Sequence, residues 1–456
     1  MHHKSCFLLS LLFSIGFQSS YAQISTPPSG ADTIRLDLPA CLRFAMKHQP
    51  GLRVSLVNQQ IYDYQVKGAL ADWLPQVSGS GDVQHYFQIP EDFIPKSVFT
   101  PGATGYEAFP STTKNVSTLG VGLTQNIYNR DVMLAAKTAK YYRRYAQESV
   151  DSAKIDLVVD VSKAYYDVFM SEEQLGILQE DITRLERSLR DTKNQYEAGT
   201  VDKTDYKQAL ILLNNARIQY KQALVAIPAK YAYLKQLMGF PVDSLMALHS
   251  DSAEMVSEAI MDTGMQLDYT RRIEIQSLET QKQLQIANYD YQRLGWLPSL
   301  SFDAAYDLGY GNNALNQLYN ATYPSSYIGL SLSIPIFQGF KRIYAMRAAR
   351  LGEQLVDLHL EDTKRVINTQ FAQAMAAYRG DLENWQVTQD NIQLSKEVYN
   401  TVTLQYKEGI KTYLDVITAE ADLRTSELNG LNALFSLLSD KLDVLKAVGA
   451  VNTNIN

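Results

Sequence analysis

The chain has 456 residues and a formal net charge of −7, which argues against nucleic acid as a partner and offers no basic face to anionic lipid. Its 29 tyrosines and 15 phenylalanines often stand near glycine, serine and other turn formers, a mix that suits strands meeting lipid. The four histidines beyond the N-terminus, His48, His85, His249 and His359, lack metal-ligand spacing, and neither a nucleophile elbow nor a phosphate-binding glycine loop occurs. An enzyme is not expected, and neither is a cofactor or metal.

Residues 1–22 read as a secretory signal, with Lys4, an apolar run from Phe7 to Phe17 and the small residues of "SYA" before Gln23. Cleavage there takes the net charge to −8 by removing Lys4. Cys6 precedes the apolar run, which excludes a lipid anchor, and Cys41 is then left without an internal partner. Further along, no apolar run approaches the roughly 18–20 residues of a spanning helix.

A helical stretch over Leu38–Trp73 meets Pro75 in "WLPQV" and gives way to two candidate strands, Gln76–Gln88 and Val116–Tyr128. Both show the weak period-two alternation of an outer-membrane strand. The Pro-, Phe- and Gly-rich segment 88–115 between them is expected to be an external loop. A very long helix follows from about Asp131 to Ala198, then a Gly-containing turn and a returning helix to Gly239, which Pro228 should bend. Residues 240–262 read as a polar linker without a clear period. The plan then repeats: a helical stretch over Gly264–Trp296, "WLPSL" with Pro298, strands Ser299–Tyr310 and Tyr327–Ile336, a long helix from Lys341 to Glu408 and a return to Gly449. The chain thus divides into the signal, a first repeat over 23–239, the linker, a second repeat over 263–449 and a tail over 450–456.

Self-similarity supports that division. "QYEAGTVDKTDY" (195–206) answers "QYKEGIKTYLDV" (405–416), which pairs Tyr196 with Tyr406, Gly199 with Gly409 and Asp205 with Asp415 at a constant offset of 210. Leu175, Leu178, Ile182, Leu185, Leu189, Thr192 and Tyr196 follow alternating steps of three and four, a heptad seam. The same offset carries it onto Trp385, Thr388, Ile392, Ser395, Tyr399, Val402 and Tyr406. Coiled-coil contacts are expected in both repeats.

Inside a bilayer strands span only as a closed barrel, and four cannot close. Two copies would give eight strands around an interior filled by side chains, so a pore points to three copies. Trp73 and Trp296 are then expected in the lipid interface, with Pro75 and Pro298 stopping the helices short of the membrane.

The duplicated layout, the two "WLP" junctions, "LSIPIFQGF" (332–340) and the paired tips together resemble the TolC-like outer-membrane efflux proteins over nearly the whole mature length. The resemblance implies a mainly α fold with a β-barrel part, built from a duplicated helix-strand-strand-helix-helix unit. It implies a homotrimer whose twelve-stranded barrel in outer-membrane lipid continues into a long periplasmic α-helical barrel. The function implied is an exit duct for tripartite efflux or type I secretion, docked to a periplasmic adaptor and an inner-membrane transporter. A structural or adhesive coiled-coil protein is the alternative, and a diffusion porin is disfavoured by the long helices.

The resemblance also assigns roles. Asp415 would line the periplasmic constriction, with Thr418 where a second acid is common. Three such carboxylates about 8 Å apart would repel by roughly 2 kcal/mol per pair, raising their pKa and attracting cations. Thr204 and Asp205 would face Tyr406 and Lys411 in a latch between the coiled coils, weaker for having Lys411 where Arg is usual. Gly199, Thr200, Val201, Gly409 and Ile410, together with Lys411, would form the adaptor-docking tips.

Overall fold

The computed structural model describes residues 34–249 and 252–455; the expected signal lies outside the described residues. In chain order the elements are β1 (Ile34–Leu36), α1 (Leu38–His48), α2 (Pro50–Ala71), β2 (Gln76–His85), β3 (Glu91–Pro95), β4 (Tyr106–Pro110), β5 (Asn115–Tyr128) and α3 (Arg130–Glu197). There follow α4 (Lys203–Met238), β6 (Met246–Leu248), α5 (Ser252–Ala259), α6 (Ile273–Arg293), β7 (Ser299–Asn312), β8 (Tyr323–Ser333), α7 (Lys341–Lys407) and α8 (Tyr413–Ala447).

The two long helices, of 68 and 67 residues, each reach on the order of 100 Å. Packing rather than propensity holds such a helix, and the heptad seam supplies it: Leu178, Ile182, Leu185 and Thr192 are buried, with Ile182 and Leu185 packed against Leu213 and Ala216 of α4. In α7 each residue from Trp385 to Tyr406 in the corresponding seam is half-buried between largely exposed neighbours. Gly430 lets α8 approach closely, since a Cβ there would stand 2.5 Å from Ile392 Cδ1. The returning helix α4 runs unbroken through Pro228.

The four spanning candidates form one antiparallel sheet in the order β2-β5-β7-β8. Its centre joins the two repeats through β5 and β7, and its edges are β2 and β8. Register puts Ser80, Asp82, Thr118, Asp303, Asp307 and Ser325 on one face, and Val77, Val121, Phe302, Tyr306, Ile328 and Leu330 on the other. One face is small and polar, the other apolar.

The structure corrects several expectations. The first helical stretch is broken at Gln49, whose ψ of 121° is the extended backbone that a following proline imposes, and the helix before Trp296 begins only at Ile273. Segment 88–115 is not bare loop, because β3 and β4 pair within it from Glu91↔Pro110 to Pro95↔Tyr106. The last strand starts four residues early and stops at Ser333, two residues before Pro335, which has no N–H for a ladder.

Residues 240–262 are not a plain polar linker either. Strand β6 pairs in parallel with β1, and Phe240, Met246, Met255 and Ala259 are buried in the main core. Tyr165 Oη donates to the His249 carbonyl at 3.1 Å, while Tyr378 Oη accepts from Met261 N at 2.8 Å and donates to the Ala259 carbonyl at 3.0 Å. Buried tyrosines on α3 and α7 thus fix a segment whose own sequence lacks periodicity.

Both returning helices end on a left-handed glycine, Gly239 (φ 67°) and Gly449 (φ 69°). A Cβ on Gly239 would stand 2.6 Å from the His48 carbonyl oxygen, and one on Gly449 2.8 Å from that of Arg271. His48 and Arg271 are 223 residues apart, as are Trp73 and Trp296, so one closure occurs in each repeat. Gly239→Ala and Gly449→Ala are each expected to lower stability by roughly 2 kcal/mol, combining left-handed strain with a backbone clash. Denaturant unfolding of the single and double variants in detergent checks this.

Candidate functional site: the periplasmic tips and the sheet junctions

The two tip turns share one geometry. Gly199 (φ 74°) donates its N–H to the Tyr196 carbonyl at 3.0 Å and Thr200 N to that of Gln195 at 2.9 Å. Gly409 (φ 74°) and Ile410 make the equivalent bonds to Tyr406 and Gln405 at the same distances. Both satisfy the carbonyls left over at a helix end. Gly199, Thr200, Gly409 and Ile410 are exposed and Val201 is half-buried, so both turns present an accessible edge.

Asp415 sits in the first turn of α8 and completes a capping box. Its Oδ2 accepts from Thr412 N at 2.9 Å and Thr412 Oγ1 at 2.7 Å, while its own N–H donates to Thr412 Oγ1 at 3.3 Å. Lys411 Nζ stands 3.8 Å from Oδ1. The Thr412 hydrogen bonds, foremost, hold the carboxyl below its ordinary pKa, with Lys411 assisting. Within one protomer the shift is therefore downward, opposite to that expected from a ring of like charges. Thr418 is exposed, and its hydroxyl donates back to the Leu414 carbonyl at 2.8 Å.

The latch residues are brought near one another with different partners. Tyr406 Oη donates to Gln195 Oε1 at 2.6 Å, across the repeats. Burial first and the Asp205 charge second raise the phenol's pKa, which places Asp205 close by. Lys411 faces Asp415 of its own repeat, and Thr204 is exposed in the first turn of α4.

More of the tie between repeats lies along α3 and α8, in residues the heptad reading passed over. Lys446 pairs with Asp156 and Lys163 with Asp443, each at 2.7 Å. Ser188 Oγ lies 3.2 Å from Tyr413 Oη, and Asp181, Arg184, Glu420, Arg424 and Glu427 meet between these contacts. One signal was available: at the 210-residue offset Arg184 corresponds to Leu394 and Glu420 to Leu210, so the charges break the repeat.

At the other end, Trp73 and Trp296 are exposed where helix gives way to strand, beside exposed Leu74, Ile334, Ile336 and Phe337. Arg130 lies over the Tyr291 ring, 4.4 Å from its centroid, and its guanidinium reaches within 2.5 Å of where a Gly295 Cβ would be. These contacts fix the Trp296 junction to the start of α3. Among the described residues no helix is long and apolar enough to cross a membrane, and no group of three or more His, Cys, Asp or Glu could hold a metal ion.

A family model described as outer membrane efflux protein matches residues 42–240 and 267–450. The chain belongs to the outer membrane efflux protein family. It is 23% identical to the toluene efflux pump outer membrane protein TtgC of Pseudomonas putida, over 90% of this chain and 82% of that protein. It is 21% identical to the outer membrane protein TolC of Vibrio cholerae, over 73% and 76%. The open-state MtrE outer membrane channel of Neisseria gonorrhoeae shares the fold, with a TM-score of 0.67 over 92% of this chain and 90% of that one at 20% identity. The fold is thus TolC-like and the location the outer membrane.

Thr412→Ala removes the cap of α8, worth about 1 kcal/mol to the first turn, so amide exchange at Asp415 and Val416 should accelerate. The Asp415 carboxyl should also return toward its ordinary pKa. Because the native pKa is lowered, the cap contributes above the ordinary carboxylate range and is lost as the pH falls through the lowered value. Residue-resolved exchange and carboxyl titration of Asp415 read both effects.

Proposed function

We propose that three copies close the four-stranded sheet into a twelve-stranded barrel and form the outer-membrane exit duct of a tripartite efflux or type I secretion system. The duct passively conducts what an inner-membrane transporter and a periplasmic adaptor deliver. The observation that carries this reading is the sheet itself, whose edges β2 and β8 need partners in lipid and whose faces separate polar from apolar residues. The four strands contain Asp82, Asp303 and Asp307 on the polar face and no Lys or Arg, which suits a water-filled lumen. The toluene-pump relative supports export of small molecules.

In this reading the paired tips are the adaptor-docking edges. Asp415 and Thr418 lie on the same side of α8, one turn apart, and line the constriction. Tyr406, Lys411, Thr204 and Asp205, together with Gln195, hold the entrance closed. Trp73 and Trp296 lie in the lipid interface, and Pro75 and Pro298 mark the start of the strands just beyond them.

The purified protein should run as a trimer and form discrete pores in planar bilayers. Divalent or trivalent cations on the periplasmic side should block them, and Asp415→Asn should abolish most of the block, since Asn keeps an acceptor oxygen for Thr412 and removes the charge. A monomer without conductance would overturn the duct in favour of a structural coiled-coil role. Unchanged block would take Asp415 out of the lumen.

Single-tryptophan variants keeping Trp73 or Trp296 should be quenched by lipids brominated near the headgroup. Quenching by acrylamide alone would move these residues out of the interface.

A further inference from the structure

Between Ser188–Tyr413 near the tip and Lys163–Asp443 toward the core, the α3–α8 seam buries charge with poor pairing. The Asp181 side chain is fully buried and that of Glu420 is 4% exposed. Arg184, Arg424 and Glu427 are mostly covered. Arg184 stands 3.6 Å from Glu420, 3.4 Å from Glu427 and 3.7 Å from Asp181, and Arg424 stands 3.3 Å from Asp181. All of these exceed the 2.7–2.9 Å of a charge-assisted hydrogen bond. Both carboxylate oxygens of Glu420, Asp181 Oδ1 and Arg184 Nε are buried without a hydrogen-bond partner.

The charge count explains the loose fit. Two guanidinium groups face three covered carboxylates, and the fourth carboxylate near Arg184, that of Glu180, points to solvent at 3.8 Å. From α7 Tyr399 adds only a phenol, whose environment includes Glu420, Arg184 and Arg187; on α8 Tyr413 also feels Glu420. The covered set is one positive charge short, and an uncompensated charge out of water is costly. One proton restores neutrality.

We propose that Glu420 is the proton-accepting member of a latch between the repeats: protonated, it lets α3 and α8 stay packed, and deprotonated, it drives the two hairpins apart below the core. The position favours this, because Glu420 lies five residues beyond Asp415 on the same helix, so separation there opens the entrance. The broken repeat symmetry confines the device to the α3–α8 contact.

Burial first, then the neighbouring Asp181, pushes the Glu420 carboxyl up to about 7, with Arg184 and Arg424 pulling the other way. The packed state therefore binds the proton more tightly than a separated, hydrated one. Packing is favoured in acid, weakens as the pH rises from the ordinary carboxylate range toward 7, and is weakest above it.

The test uses the full-length protein and two readouts. Spin labels on cysteines introduced at exposed Arg190 and Asp422 report the α3–α8 distance, and open probability is recorded in planar bilayers, both from pH 5.5 to 8. The wild type should show a longer, broader distance and at least about a ten-fold higher open probability at the alkaline end, one pKa unit corresponding to ten-fold. Glu420→Gln should stay packed and flat across the range. Arg424→Gln, which removes a favourable cation, should move the midpoint to higher pH, and it decides the matter should Glu420→Gln fail to fold. A pH-independent distance in the wild type, or an unaltered pH profile in Glu420→Gln, overturns the latch. The inference rests on the duct reading only for the conductance arm: a distance change without pores would keep the latch and reject the duct.

Discussion

A backbone amide in hydrocarbon must find a protein partner, and the four-stranded sheet leaves two rows of them unmatched along β2 and β8. The rest of the architecture follows from that deficit. In the proposed trimer the open edges are met by neighbours, the ring would leave a lumen, and the alternation of side chains would turn the polar sheet face to water and the apolar one to lipid. Pairing of β5 with β7 places the boundary between repeats inside the sheet, so neither repeat forms a complete membrane segment alone. In the same reading, the prolines after the tryptophans would keep helix and strand from competing for the same level.

Below the membrane a different economy applies. The α3–α4 seam is built on apolar heptad positions, whereas the α3–α8 contact between repeats adds ion pairs and a covered charge cluster to the apolar core the two helices share. Apolar packing loses little with pH and salt, while ion pairs respond to both. Each hairpin is suited to persist as a unit, and the contact between hairpins is suited to change.

Much of this was legible in the sequence, because two periods were written clearly. The period of two in "VSGSGDV" and "YIGLSLSI" located the strands, and steps of three and four from Leu175 to Tyr196 located the seam. The break at Gln49 was missed because a single proline outweighed a continuous helical pattern, and the hairpin in 88–115 because short Pro-flanked strands carry little periodicity. The linker misled for another reason: Tyr165 and Tyr378 supply its hydrogen bonds from distant helices. At the site, motif matching brought Tyr406, Asp205, Lys411 and Asp415 into one neighbourhood. It could not reveal that Asp415 caps its own helix, or that Gln195 takes the Tyr406 hydroxyl, since such choices depend on side-chain geometry. The Arg184 cluster was visible only as a failure of the two repeats to match.

The length of α3 has a mechanical consequence. Tyr165, anchored in the core, lies 31 residues from Tyr196 at the tip, an arm of about 46 Å. A pivot of one degree at Tyr165 sweeps the tip through about 0.8 Å, so a few degrees suffice to exchange one set of hydrogen-bond partners for another. The helix is a lever whose fulcrum is the short β1–β6 layer and the side chains packed on it, and a displacement too small to disturb that fulcrum is magnified where the helices end.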